Sequence, residues 1–406
     1  MNKINFIDLF AGASGLSEGF IKAGYNPIAH VEMDSDASFS IRTRSVYHYL
    51  TENNYKEYYT KYLKKEITRE KLYSLVPNEI IDNTITAEIG DNNISEIFTR
   101  IKELSKGKKI DFIIGGPPCQ AYSLIGRHQD EIENDPRNKL YIQYGRFLKE
   151  FSPSYFVFEN VPGLLSAGNG SHLKNLRKYF KKIGYELDLK ILNSADFGVL
   201  QNRKRVIIIG WKKEINFSYP EFDIENKLYK TRLLLEDLTP LKPGEKYDVI
   251  DYFSETNDYL LNSEIRNGYD FVTQHISRPH NQRDLEIYKL AINLWNKENR
   301  RLNYKEIDES LKTHKNEKSF LDRFKVVDSN GYSHTVVAHI AKDGHYYIHP
   351  DENQVRSISV REAARIQSFP DDFFFEGSRS AAFKQIGNAV PPLMAYKIAK
   401  KLKELI

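Results

Sequence analysis

The sequence has one cysteine, Cys119, in 406 residues. A single thiol can form neither an internal disulfide nor a multi-thiolate metal site, so no metal centre is expected. No apolar run approaches the roughly 20 residues needed to span a bilayer, which excludes a helical membrane protein. The N-terminus, MNKINFIDLF, moves straight into a short apolar strand without the layout of a signal peptide, so a cytoplasmic location is expected. Internal repeats and low-complexity tracts are lacking. Charge of one sign is also scarce: the net charge is +4, compatible with nucleic acid without demanding it. With 40% hydrophobic and 28% charged residues the chain has the composition of a soluble globular enzyme, not of a disordered or collagen-like one. Its length predicts either two to three units or one large α/β domain with a smaller partner.

What is present is an alternation. Short apolar runs at Ile4–Phe10, Ile28–Val31, Asp111–Ile114, Tyr155–Phe158 and Val206–Trp211 are separated by stretches of helical periodicity such as Leu16–Ala23 and Leu140–Phe151. That pattern predicts an α/β fold with a doubly wound, mostly parallel sheet. Ligands of such sheets bind beyond the carboxyl ends of the strands. Gly12, Glu32, Cys119 and Glu159 all stand where an apolar run stops, and are predicted to converge.

Two regions interrupt the alternation. Within 37–87, Tyr55, Tyr58, Tyr59, Tyr62 and Leu63 follow the spacing of one helix face, with lysines and glutamates opposite. This reads as an inserted helical element packed on the main domain; backbone contact with DNA through its lysines is the alternative. Residues from about 229 to 355 carry turn signals, among them Leu241–Gly244 and the hairpin-type pairs Asn330-Gly331 and Asp343-Gly344. They also carry a basic and aromatic run, Gln274 to Arg283. A second, smaller domain of mixed α and β structure is expected there.

The Gly-rich turn Phe10-Ala11-Gly12-Ala13-Ser14-Gly15 lies between a predicted strand and helix, where free N–H groups and close backbone approach suit an anionic or nucleotide-type ligand. Glu32 ends the next strand, where a carboxylate can accept from two ribose hydroxyls. Either a dinucleotide or S-adenosylmethionine fits, since both carry an adenosine. Gly90-Asp91 suits the adenine end or an ordinary turn. Cys119 lies in Gly115-Gly116-Pro117-Pro118-Cys119-Gln120, a rigid turn at a strand end. A free thiol is only about 3% thiolate at pH 7, so a catalytic role needs assistance. The polar stretch Ser123–Arg137 reads as a loop that closes over a substrate. Glu159 follows an apolar strand, and Arg203 and Arg205 share one face by period two.

These motifs in this order resemble the cytosine-C5 DNA methyltransferase family, of bacterial restriction-modification type. Phe10-Ala11-Gly12 with Gly15 is similar to the first cofactor motif, Glu32 to the ribose-binding acid, and Gly90-Asp91 to the adenine-side segment. Pro117-Pro118-Cys119-Gln120 resembles the nucleophile loop, Glu159-Asn160-Val161 the catalytic-acid motif, and Gln201 through Arg205 the Gln-x-Arg-x-Arg motif. Arg361 to Pro370 resembles the domain-bridging motif, and Gln385 to Pro392 the last motif, which returns to the cofactor pocket. Thr335-Val336 resembles the Thr-hydrophobic pair before the bridge. The resemblance covers residues 6 to 396 and leaves about 229–355 to a variable target-recognition segment. The chain departs from the family's pattern at Ser14, where a glycine is common, and in its long Tyr-rich segment.

The resemblance implies a catalytic and cofactor-binding domain of residues 1–228 plus 376–406, with the helical insertion at about 37–87. A target-recognition domain of 229–375 would include the bridging motif 356–370. It implies Cys119, Glu159, Arg203 and Arg205 as catalytic residues. Phe10, Gly12, Gly15, Glu32, Met33, Asp91, Pro117, Leu140, Asn388 and Ala389 would bind S-adenosylmethionine, released as S-adenosylhomocysteine. Gln120, Ser123, Arg127 and Thr335 would contact DNA. Cys119 would attack C6 of a flipped-out cytosine. Glu159, in a protonated or partly shared form, would bind N3 and the exocyclic amine, and Arg205 with Arg203 would hold O2. The partners implied are duplex DNA with a specific short target and a cognate restriction endonuclease, with the enzyme itself a monomer. Rival readings are the same chemistry on transfer RNA, against which the segment 229–355 with its basic His275–Arg283 run favours DNA sequence recognition, and a catalytically idle DNA-binding protein.

Overall fold

The apolar runs become strands of one seven-stranded sheet in the order β3-β2-β1-β4-β5-β8-β6. The strands are β1 (Asn5–Leu9), β2 (Asn26–Glu32), β3 (Thr84–Thr86), β4 (Phe112–Gly115), β5 (Tyr155–Asn160), β6 (Tyr185–Asn193) and β8 (Lys204–Lys212). The structure is a computed structural model that describes residues 3–118, 140–225, 228–312, 318–319 and 321–406. β1, β2, β3, β4 and β5 pair in parallel, whereas β8 runs antiparallel between β5 and β6. Helices cover both faces, so the central strands read as continuous apolar runs rather than alternating ones.

On one face the helices Ile94–Ser105, Leu140–Phe151 and Ser171–Lys182 bury Ile97, Phe147 and Phe180 against Ile113 and Phe156. On the other, the first helix, Gly15–Lys22, and the last, Pro392–Leu405, bury Phe20, Met394 and Ile398 against Phe112 and Ile209. The helices expected at Leu16–Ala23 and Leu140–Phe151 are therefore present, the first shifted by one residue. β1 has β2 on one side and β4 on the other, so the chain switches direction between β1 and β4. Their carboxyl ends, Leu9 and Gly115, are paired neighbours, and the crevice of a doubly wound sheet opens beyond such a point.

The Tyr-rich helix is Lys56–Leu63, with Tyr59, Tyr62 and Leu63 buried and Tyr55 exposed. Its partners differ from the expected main domain alone. The apolar cluster it joins contains Phe271 and Val249 from a two-stranded hairpin, β9 (Lys246–Asp251) with β10 (Phe271–Ile276), and Phe374 from the segment after the bridging motif. Tyr59 Oη donates to the Asp372 carbonyl and Tyr62 Oη to Glu376. Lys56 and Lys64 lie over the rings of Tyr269 and Phe271. The hydroxyls and two of the lysines are thus engaged within the protein.

Two other expectations are corrected. Asn330-Gly331 and Asp343-Gly344 do not close hairpins. The Asp328 carboxylate accepts from the N–H groups of Asn330 and Gly331, and Asp343 accepts from His345 N, so side chains rather than strand pairing hold these turns. The Gln274–Arg283 run is not an open basic surface at its centre. His275 is buried between Ser359 and the Thr239 carbonyl, Gln274 bonds the backbone of Phe375, and Arg278 donates to the carbonyls of Ile340, Ala341 and Lys342.

The bridging motif forms the helix Val360–Ile366, started by a capping box of Ser359 and Glu362. Three arginines of this region are fully buried. Arg356 makes a two-pronged contact with Glu362, Arg361 donates to Thr273, Pro370 and Phe373, and Arg365 clamps Asp237 and Asp371. Removing one partner of such a pair strands a buried charge and is strongly destabilising. One apolar cluster packs this helix, through Ala364 and Ile366, with Ala13, Leu200 and Ile386 of the sheet-bearing part.

Candidate active site

Glu159 is the penultimate residue of β5, and Arg205 is the second residue of the adjacent antiparallel strand β8. Arg205 Nε lies 2.8 Å from Glu159 Oε1, and both side chains are about nine-tenths buried. Arg205 also donates to the Lys204 carbonyl. The Glu159 carboxylate lies directly over the turn after β4. A Cβ placed on Gly116 would stand 2.5 Å from Glu159 Oε2, so only glycine leaves room for the carboxylate here. Asn160 Nδ2 donates to the Pro117 carbonyl, and Asn160 Oδ1 accepts from Val161 N. The acid motif thereby fixes the Pro-Pro turn that leads to the thiol. Cys119 itself, with Gln120 and the whole expected closing loop Ser123–Arg137, Arg127 included, lies outside the described residues.

Among the described residues Arg203, expected to act with Arg205, contacts backbone carbonyls. Its side chain is buried and donates to the carbonyls of Val336 and Gly387, at 2.6 and 3.1 Å. The residue lies between β7 (Gln201–Asn202) and β8, so the two arginines do not continue one strand face. Arg205 meets the acid, while Arg203 ties together backbone segments distant in sequence. β7 also pairs in parallel with β11 (Ser333–His334), and Thr335 Oγ1 donates to the Asn202 carbonyl at 2.6 Å. Thr335 is thus held against the Gln-x-Arg-x-Arg segment.

At the switch point the Gly-rich turn is built from left-handed backbone: Phe10, Gly12 and Ser14 have φ of +56°, +55° and +62°. The left-handed angle explains why a glycine suits the position of Ser14, where this chain holds a serine in the same conformation. Glu32 accepts from Gly12 N at 2.7 Å and Asp34 N at 2.8 Å, and burial pushes its carboxyl upward against these hydrogen bonds. Gly15 lies against the last motif, where an added Cβ would stand 2.3 Å from the Val390 carbonyl and 3.2 Å from Ala389 Cβ. The first and last motifs, some 370 residues apart, therefore pack directly against each other. Met33 is 61% exposed beside Glu32, offering apolar surface. Asn388 is exposed at the end of the helix Arg379–Asn388, and Leu140 is half-buried at the start of its helix. Asp91 turns its carboxylate to Arg146 and Gln143.

These residues fit an adenosine-bearing cofactor. A buried carboxylate stands at a strand end, and open space lies over Gly12 and Gly90, where an added Cβ would meet nothing within 4 Å. Sequence reasoning missed two buried amides, Gln201 and Gln367. Both stand inside recognised motifs, but nothing in a single sequence marks them as partners.

Sheet order and switch point define a doubly wound α/β fold, with the paired acid and arginine at the carboxyl end of β5. Comparison with known proteins narrows the class. The family described as C-5 cytosine-specific DNA methylase matches residues 78–404. The Type II methyltransferase M.Bpa9945I of Bacillus paralicheniformis is 43% identical, covering 98% of this chain and 98% of its own length. M.DdeI of Desulfomicrobium norvegicum, also a Type II methyltransferase, is 33% identical over 98% of this chain and 88% of its own. Among solved structures, a prophage-encoded E. coli protein described as a DNA modification methyltransferase shares the fold. Its TM-score is 0.67 at 24% identity, covering 99% of both chains. The chain belongs to the C-5 cytosine-specific DNA methylase family and is a DNA cytosine-5 methyltransferase.

Proposed function

We propose that the protein is the modification enzyme of a type II restriction-modification system, methylating C5 of one cytosine in a short duplex target with S-adenosylmethionine as donor. The observation that carries this reading is the Glu159–Arg205 pair over Gly116, at the foot of the turn leading to Cys119. The names of the relatives support the restriction-modification setting, and with it a partner endonuclease and a bacterial cytoplasm. The enzyme works as a monomer.

Cytosine C5 is a weak nucleophile. Addition of the Cys119 thiolate to C6 makes the ring an enamine, and C5 becomes nucleophilic. Glu159 holds N3 and the exocyclic amine as charge develops on the ring, while Arg205 orients Glu159 and reaches O2. S-adenosylmethionine supplies the electrophilic methyl group. Gly12, Gly15, Glu32, Met33 and Ala389 bind and orient it, with Phe10, Asp91, Pro117, Leu140 and Asn388 around them. Loss of the C5 proton to a base then expels the thiolate and restores the ring.

A base inside a duplex cannot enter such a pocket, so the cytosine is flipped out. Residues 229–375 read the flanking bases from the major groove, and residues 1–228 plus 376–406 carry the chemistry. Gln120, Ser123, Arg127 and Thr335 contact the DNA. Incubation with tritium-methyl-labelled S-adenosylmethionine and duplex DNA tests the reading. Label enters DNA with the native chain and not with Cys119→Ala; label transferred by that variant overturns the nucleophile assignment.

A further inference from the structure

Val336 is held from both sides by one short segment. Its N–H donates to Gln201 Oε1 at 2.8 Å, and its carbonyl accepts from Arg203. Gln201 Nε2 in turn donates to Gln367 Oε1 at 2.8 Å and to the Ile366 carbonyl at 3.1 Å. Gln367 Nε2 donates to the carbonyls of Ile386 at 2.6 Å and Ala389 at 3.3 Å. Both glutamines are fully buried.

The hydrogen bonds all run one way, from the Val336 N–H through two amides to the Ile386 and Ala389 carbonyls. Only this orientation of the two amides pairs every group. A backbone N–H needs an acceptor at one end, and two carbonyls need donors at the other. Bonds aligned head to tail polarise one another, and a buried amide left unpaired is costly. One end of the chain adjoins Thr335, on the DNA side. The other is Ala389, in the wall of the cofactor pocket against Gly15.

We propose that Gln367, acting through Gln201, is a positioning residue that sets the distance between the cofactor pocket and the pocket for the flipped cytosine. The inference rests on the proposed methyl transfer and adds a residue that touches neither substrate. Each pocket stays intact on its own when the relay is cut. What is lost is their mutual placement, and misplacement of reacting groups by about 1 Å can cost on the order of a hundredfold in rate.

The test is Gln367→Met, which keeps the volume and removes the amide. Arg203 and the close packing of Gly387 on Val337 and Ala338 remain to hold the fold. Three quantities are measured: S-adenosylmethionine affinity without DNA, release of tritium from C5-labelled cytosine without cofactor, which reports thiolate addition alone, and kcat for methyl transfer. The expected result is the first two within about threefold of native and kcat lower by about tenfold to a hundredfold. An unchanged kcat, or a fall matched in the other two quantities, overturns the proposal.

Gln367→Glu, which keeps the acceptor for Gln201 but loses both donated bonds, is expected to reproduce the kcat defect. It serves as the second variant should Gln367→Met fail to fold. Amide hydrogen exchange gives a readout independent of catalysis: in either variant exchange rises at 333–338 and 385–390 together. A rise confined to 385–390 contradicts the relay. A native chain that neither transfers methyl nor releases tritium sinks the proposed function, and the exchange result then decides the relay alone.

Discussion

The guanidinium of Arg205 and the carboxylate of Glu159 meet at 2.8 Å where two antiparallel neighbouring strands bring their ends together. Arg205 is thereby the orienting partner of the acid. Removing either side leaves the other nine-tenths buried without its ion-pair partner, a loss of about 3–5 kcal/mol for a wholly buried pair and less at this exposure. Glu159→Gln and Arg205→Met are each expected to lower kcat by at least about a hundredfold while S-adenosylmethionine affinity stays within a few-fold. Because the two act as a unit, the double variant should be little worse than either single one. Additive losses, measured by single-turnover methyl transfer, would separate their roles.

Arg203 and Arg205 should part company in a comparison of Arg203→Met with Arg205→Met. Arg203 serves two buried carbonyls, so its loss is expected to cost stability, roughly 2–4 kcal/mol from two charged hydrogen bonds. Arg205→Met should lower the melting temperature less and the activity per folded molecule more. The reverse ranking would return Arg203 to the chemistry.

Gly116→Ala places a methyl group where the Glu159 carboxylate lies, 2.5 Å from Oε2. The carboxylate must move, and the loss should appear in kcat rather than in cofactor affinity. A variant with native kcat would mean that Glu159 need not occupy its observed position.

Acid should destabilise the fold before the carboxylates titrate. Burial pushes His275 and His349 down to about 4, from an ordinary value near 6.5. His275 is neutral where its Nε2–H donates to the Thr239 carbonyl and Ser359 donates to Nδ1. The Arg356 charge adds to the effect at His349, and Glu362 opposes it. The unfolded chain takes up these protons first as the pH falls. Stability present above about pH 6.5 is therefore lost between about 6.5 and 4, by up to a few kcal/mol per histidine. Melting temperatures from pH 7.5 to 5 check this, and His275→Gln should flatten the slope. A flat native profile would contradict it.

The strands were legible because a sheet covered on both faces needs unbroken apolar runs, and Glu32 and Glu159 stand out as acids ending such runs. The helix face of Tyr59, Tyr62 and Leu63 was legible for the same reason. Its partners Phe271 and Phe374 were not, since they lie far away in sequence. The basic run at His275 resembled a nucleic-acid surface because composition does not say which side of a strand is buried. Arg203 and Arg205 look equivalent in the chain. Only the tertiary structure assigns one to two carbonyls and the other to a carboxylate.

The decisive measurement of the proposed methyl transfer is bisulfite sequencing of DNA from a bacterial host lacking its own cytosine methylation, expressing the native chain or its Cys119→Ala variant. C5-methylated cytosines are expected in one short recurring sequence with the native chain and none with the variant. Well-expressed, soluble native protein that leaves the DNA unmodified would contradict it and make transfer RNA the next substrate to test.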